Sequence, residues 1–403
     1  MPKNKIRPFL LGSRWTMSSL ILGVIISIAA SLGVNYFNHQ HADQVAFETA
    51  VATADAVVNR IKLYQYGLRG TRGAIHTMGD EGINREAFDR YSRTRDVAVE
   101  FPGARGFGFI RRVARQDEAQ FVAMARADGW PDFAIRELGK TEEGRPIHEV
   151  KWGEGPIQII AWSQMHGDEA TATMALADIF RLLASSGKPS EQFKQKLHQN
   201  ITLRIIPRLN ADGAEKWQRE TALGIDMNRD ATKQNSVEAR LLSAWADEIN
   251  PAFAFNLHDQ NRLYSVGNSP EQTHIAFLAT TGDDAGTWTP SRLRAGQICQ
   301  RMLHQIQPII PGKIAKWTDE FESRAFGDTF SSRGYGLILL ESGGAGWDLE
   351  KQSLRKLNAC LLLDAFCAIA DGSYTAESIT EYEALPTNER AIVDIKITDA
   401  PLS

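Results

Sequence analysis

Beyond residue 150 the chain carries four mainly apolar runs, each ending on polar residues. Ile157–Trp162 leads into Met165-His166-Gly167-Asp168-Glu169, and Ile201–Ile206 into Pro207-Arg208-Leu209-Asn210-Ala211-Asp212-Gly213. Ala252–Leu257 is followed directly by His258, and Tyr335–Leu340 directly by Glu341. Runs of this kind are the pattern of strands buried on both faces of a parallel sheet. Longer stretches with helical spacing fall between them: Ala170–Ser185, Val237–Glu248, Arg292–Ile306 and Leu354–Ala370. A turn-rich segment, Gly139–Pro146, precedes the alternating strand pattern of Ile147, Val150 and Trp152. Strands alternating with helices predict an α/β domain with a mostly parallel, mixed central sheet flanked by helices. In such sheets ligands gather beyond the carboxyl ends of the strands, so two histidines and two glutamates are expected at one sheet edge.

The N-terminal pattern is different. Trp15–Asn38 contains no charged residue, enough to cross a bilayer as a helix. Lys3, Lys5, Arg7 and Arg14 precede it, and His39–Glu48 has no Lys or Arg. The positive-inside rule therefore predicts a cytoplasmic segment 1–14, a membrane anchor 15–38 and an outward-facing remainder. A cleaved signal peptide is the competing reading, with a shorter apolar region expected. After the span, Phe47, Val51, Ala54, Val58, Ile61, Gln65 and Leu68 form a heptad seam. That seam suits either a homodimer or packing within its own domain. Past Gly372 the residues are acidic and polar without a strong period, a frayed or edge-packed tail.

Composition narrows the class further. The 403 residues carry a net charge of −4 and show no basic stripe interleaved with aromatics, which gives no case for nucleic acid. Cys299, Cys360 and Cys367 fit no metal or redox spacing. The last two, seven apart in an apolar helical stretch, are expected as two buried thiols rather than a disulfide.

The residues at the strand ends suit a hydrolytic zinc site. Catalytic zinc takes three protein ligands from His and carboxylate and keeps one position open. His166 and Glu169 are three apart where a strand hands over to a helix, so one helical turn lets them converge on one ion. His258 supplies a third ligand from another strand. Glu341, directly after a buried strand, is costly there unless paired or functional, and a general base provides the reason. Arg219 and the loop Gly224-Ile225-Asp226-Met227-Asn228-Arg229 place arginines, an amide and an acid together, a set suited to an anionic chain end. Each feature alone has a plainer explanation as surface or structure; their shared position sets them apart.

Taken in order, His166-x-x-Glu169, Asn210-x-Asp212-Gly213, Arg219, Gly224-x-Asp226-x-Asn228-Arg229, Asn256-Leu257-His258 and Glu341 resemble the carboxypeptidase A-like zinc metallopeptidases over about residues 138–371. The resemblance implies a carboxypeptidase-like fold and one zinc ion on His166, Glu169 and His258. It also implies Glu341 as general base or acid and Arg219 as oxyanion stabiliser. Asn228 and Arg229 would hold the substrate carboxylate, and Asp226 would accept the second ring proton of His166. Two departures stand out. The family's Asn-Pro-Asp-Gly reads Asn-Ala-Asp-Gly, and Asp168 replaces the arginine of digestive members. No tyrosine lies between Lys313 and Phe330 to cap the substrate. Upstream, Tyr66-Gly67-Leu68-Arg69-Gly70, Phe88, Tyr91 and Phe101–Val113 resemble the opening half of a CHASE sensory domain. That resemblance implies a small extracytoplasmic α+β region over 39–137.

These readings converge on a membrane-anchored zinc carboxypeptidase of a bacterial inner membrane. Its catalytic domain would be periplasmic and would act on peptides or cell-wall peptides. Two alternatives remain open: a zinc amidase or deacylase of N-acyl amino acids, and a sensory protein with an inactive peptidase fold.

Overall fold

A computed structural model describes residues 14–82, 85–100, 133–184, 188–346 and 348–393, in two compact units divided at Gln116 and Asp117. The basic segment before Arg14, the Phe101–Val113 motif and the tail beyond residue 393 lie outside the described residues. In the first unit, α1 (Arg14–Gly82) runs 69 residues and is interrupted at Gly79. That is far longer than the roughly 20 residues a bilayer needs. Its N-terminal half is apolar and long enough to cross a membrane, with none of that window buried. The heptad residues Phe47, Val51, Val58, Ile61 and Leu68 are exposed among the described residues. Two short helices follow, α2 (Arg85–Ser92) and α3 (Val97–Glu100).

The second unit is built on an eight-stranded sheet. Its strands are β1 (Phe133–Lys140), β2 (Pro146–Trp152), β3 (Ile157–Ser163), β4 (Ile201–Ile206), β5 (Phe253–Asp259), β7 (Ile275–Ala279), β8 (Ile314–Lys316) and β9 (Gly336–Ser342). The spatial order is β1-β2-β4-β3-β5-β9-β7-β8. The four apolar runs form the parallel centre, β4-β3-β5-β9. Antiparallel pairings attach β1 and β2 on one side and β7 on the other. The short strand β6 (Ser265–Val266) pairs separately with β10 (Asn388–Glu389).

Why the central runs are apolar follows from a period of two with both faces covered. Ile159 and Ala161 of β3, Phe255 and Leu257 of β5, and Ile338 and Leu340 of β9 face one core. That core is closed by α4 (Thr171–Ala184), α5 (Lys188–Asn200), α8 (Pro290–Ile306) and α10 (Gln352–Asp371). Ile160, Trp162, Ala254 and Leu337 face a second core, against α7 (Val237–Ile249) and α9 (Phe326–Ser332). Between β4 and α7 lies the short helix α6 (Ala211–Lys216).

The segment past Gly372 packs rather than frays. Tyr382, in the one-turn helix α11 (Thr380–Glu383), is 1% exposed, and its hydroxyl accepts from Ala279 N–H at 2.8 Å. The cysteines are free thiols, but only Cys299 is buried; Cys360 is exposed and Cys367 half-buried. The buried side of α10 is instead lined by Leu354, Asn358, Leu361, Leu362, Ala365 and Phe366. Seven-residue spacing put both cysteines on one stripe, and that stripe flanks the core.

Candidate metal centre and active site

Parallel register sets the first pair. His258 and Glu341 are Cα partners across β5 and β9, so both side chains emerge on the face of the second core, at the carboxyl ends of their strands. Asp259, the next residue on β5, is tied down below them. Its Oδ2 accepts from Thr171 Oγ1 at 2.6 Å and Lys351 Nζ at 3.1 Å, and Lys351 also donates to Ser342 O at 3.1 Å. That bridge fastens the two strand ends together just past His258 and Glu341.

His166 arrives from the loop after β3. Gln164 takes a left-handed backbone (φ 48°), an uncommon conformation for a residue with a Cβ and one that concentrates near functional sites. Its carbonyl accepts from Asn210 N–H at 2.9 Å. Asn210 in turn caps α6, with Oδ1 accepting from Gly213 N–H at 2.8 Å and Nδ2 donating to Glu220 O at 3.1 Å. A Cβ on Gly167 would lie 2.0 Å from Gly213 C, so the two loops close only with glycine there. Asp212 is wholly buried and accepts from Thr141 Oγ1, Glu143 N–H and Arg145 Nη1. The Asn-x-Asp-Gly motif thus builds the scaffold that carries Arg219.

His166, Glu169 and His258 are buried, and one ligand atom from each lies within 4.8 Å of the other two. The carboxylate of Glu169 is met from both sides, by His166 Nδ1 at 2.8 Å and His258 Nδ1 at 2.7 Å. Asp259 N–H also donates to Glu169 Oε2 at 3.2 Å. His166 Nε2 lies 3.1 Å from Asp226 Oδ1, and Arg219 Nη1 lies 3.0 Å from His166 Nδ1.

These contacts place contradictory demands on His166. A guanidinium only donates and a carboxylate only accepts. Nδ1 faces both, with its ring partner Nε2 committed to Asp226. A cation among the two Nδ1 atoms and Glu169 removes the conflict, and two imidazoles with one carboxylate are the donor set of catalytic zinc. Charge balance agrees. Burial pulls the His166 pKa down, but hydrogen bonds to Asp226 and Glu169 outweigh it and the net shift is upward. His258 moves down because burial dominates, which favours the neutral imidazole that metal ligation requires. For Glu169, burial pushes the pKa up, yet His258 and His166 hold it well below the usual carboxylate range. Glu341 goes the other way: burial, then the charges of Glu169 and Asp259, raise it well above an ordinary glutamate. Its Oε2 is buried and has no partner among the described residues.

Beside this cluster, Asp226 caps a single 3₁₀ turn, Met227–Arg229, by accepting from Asn228 N–H at 2.9 Å. Its second oxygen accepts from Arg219 Nε at 3.1 Å and Nη2 at 3.0 Å. Asn228 is half-buried, with Oδ1 accepting from Phe326 N–H at 3.1 Å, so the amide NH₂ is the group it can offer. Arg229 is exposed. Asp168 is exposed, and Tyr335 is buried with its hydroxyl donating to Ala246 O, at the far end of β9 from Glu341.

Residues 125–278 match the family model of zinc carboxypeptidases. Over those residues the chain is similar to the zinc carboxypeptidases. Carboxypeptidase 2 of Trichophyton rubrum is 26% identical over 217 residues, covering 49% of this chain and 38% of that protein. Carboxypeptidase D of Mus musculus is 24% identical over 209 residues, covering 40% of this chain and 15% of that protein. The chain therefore spans well under half the length of these relatives. A metallo-carboxypeptidase of Burkholderia cenocepacia shares the fold, with a TM-score of 0.50 at 17% identity, covering 65% of this chain and 70% of that one. A CHASE domain model matches residues 81–151. Its last stretch overlaps β1 and most of β2, which hydrogen-bond into the carboxypeptidase-type sheet beside β4.

Sequence reasoning missed Asp259 and Lys351. The acid follows a candidate ligand and so carried a signal. The lysine lies in a left-handed turn (φ 54°), and nothing local marks its return to β5.

Proposed function

We propose that the chain is a membrane-anchored zinc metallocarboxypeptidase, held by residues 15–38 in a bacterial inner membrane. Its catalytic domain, about 138–371, faces the periplasm and removes C-terminal residues from peptides, including cell-wall peptides. The observation that carries this reading is the meeting of two imidazole Nδ1 atoms on the Glu169 carboxylate, with Glu341 in register on the next strand. A zinc ion held by His166, Glu169 and His258 would supply Lewis-acid polarisation of the scissile carbonyl and of a water.

The chain's own groups do the rest. Glu341, made more basic by burial and by neighbouring carboxylates, takes the proton of the attacking water and delivers it to the departing amine. Arg219 offers N–H donors to the oxygen on which negative charge develops. Asp226 accepts the Nε2 proton of His166 and so directs the Nδ1 lone pair to the centre. Arg229 and the NH₂ of Asn228 receive the free α-carboxylate, which limits attack to the last bond. A homodimer through the exposed 47–68 seam is consistent with that heptad pattern.

Digestion of a peptide pool by the zinc-loaded protein, read by mass spectrometry with and without chelator, tests the proposal. Products shortened one residue at a time from the C-terminus, and only with metal, are expected. Internal fragments, or release of acyl groups from N-acyl amino acids alone, would overturn it.

A further inference from the structure

The irregular segment between β8 and α9, together with the first residue of α9, is bonded to the loop that bears Asn228 and Arg229. Phe326 N–H donates to Asn228 Oδ1, Ala231 N–H donates to Arg324 O at 3.0 Å, and Thr232 Oγ1 donates to Ser323 O at 2.8 Å. Close to these contacts, Glu322 sits between two arginines. Its Oε2 lies 3.6 Å from Arg229 Nε. Arg324 grips the same carboxylate through Nε at 2.9 Å and Nη2 at 2.5 Å, and Arg324 N–H adds a third bond at 3.1 Å. Arg229 Nη1 is already committed to Asn228 O at 2.7 Å. With Nε facing Glu322 and one Nη1 proton on a carbonyl, the remaining Nη1 and Nη2 protons are the donors Arg229 can offer a substrate.

We propose that Glu322, itself held by Arg324, is the positioning residue of the carboxylate clamp. It orients the exposed Arg229 side chain so that the fork meets a substrate carboxylate already in place. This rests on the carboxypeptidase reading and extends it to residues that touch no reacting atom. Arginine is a long chain with several rotors, and ordering it before binding reduces what the substrate must organise. Hydrogen bonds from Arg324, chiefly, bring the Glu322 carboxyl down to about 2, so it stays ionised throughout the working pH range. Charge alone predicts the opposite effect. One carboxylate between two arginines competes with an incoming anion, and its removal would then tighten substrate binding. The sign of the change separates the two accounts.

The test is steady-state kinetics of the full-length, zinc-loaded protein on a peptide with a free C-terminus and on its amide. Preference of the unaltered protein for the free acid is measured first, and equal cleavage of the two would sink the carboxypeptidase reading independently. Given that preference, Glu322→Gln should raise KM for the free acid about three- to tenfold, the range of a partly exposed contact that orients a binding group, with kcat within twofold. Arg324→Ala should raise KM in the same direction by less, and it carries the test should Glu322→Gln not fold. On an Arg229→Ala background, Glu322→Gln should leave kcat/KM unchanged. A fall or no change in KM for Glu322→Gln, or an undiminished effect in the double variant, would overturn the inference.

Discussion

Asp226→Asn probes how the proposed ligand, oxyanion donor and clamp are held as one unit. Asp226 accepts from His166 Nε2, from Arg219 through Nε and Nη2, and from Asn228 N–H. Asparagine keeps the volume but replaces one acceptor oxygen with a donor. If the remaining oxygen serves His166 and Asn228, the new NH₂ faces the donors of Arg219, and that pairing is lost. A charge-assisted bond is worth about 1.5–3 kcal/mol. The Arg219 side chain is 41% exposed, so its share falls toward the low end. His166 keeps an acceptor but loses the charge opposite it, and disturbing the partner of a proposed ligating histidine costs up to about 10–100-fold in metal affinity or activity. Together these give roughly 10²–10³-fold in kcat/KM, with zinc affinity down about tenfold or more. The pH dependence has a definite sign. Burial raises the Asp226 pKa, but His166 and Arg219 outweigh it and hold it well below its ordinary 3.8. A depressed carboxylate contributes stability that is complete above the unfolded pKa and is lost only as pH falls through the folded one. With zinc holding His166 in its neutral form, the stability difference between variant and parent should therefore be flat from about pH 5 to 8. Chelator competition, kinetics and urea unfolding measure the three effects. Zinc affinity and kcat/KM both within twofold of the parent would refute the reasoning.

Three further outcomes follow from the geometry. His258→Ala should lose bound zinc by metal analysis, because one of the two imidazoles on Glu169 is gone; retention of stoichiometric zinc at unchanged affinity contradicts the ligand set. Glu341→Gln should keep zinc and fold while turnover falls about 10²–10⁴-fold, and near-parental turnover would place the base elsewhere. Tyr382→Ala should lower stability by about 3–5 kcal/mol in urea titration, since a buried ring beside Phe277 and a bond to Ala279 are lost; a change under about 1 kcal/mol would show that the segment past Gly372 contributes no core.

The centre of the fold was legible because Ile159, Ile160, Ala161 and Trp162 must all be apolar to face two cores at once. The same demand makes polar residues at the ends of β3, β5 and β9 conspicuous. The edges carried no such signal. The β7 run, Ile275–Ala279, is five residues long and antiparallel to β9, and α5 offers few apolar positions beyond Phe193 and Leu197. Local spacing also could not tell which stripe of α10 faces inward, which left Cys360 misplaced. The Lys351–Asp259 bridge and the Glu322–Arg229 contact each join residues roughly ninety apart. Only the assembled sheet brings them together.

The central claim, that the domain recognises a free chain end beside its metal, is tested most directly by one comparison. A peptide and its C-terminal amide are each incubated with the zinc-loaded protein and with its Arg229→Ala variant, and released amino acid is quantified. The account predicts that the unaltered protein releases the terminal residue of the free acid, leaves the amide essentially untouched, and loses about ten- to a hundredfold in kcat/KM on the free acid with Arg229→Ala. Equal hydrolysis of acid and amide by the unaltered protein would contradict it.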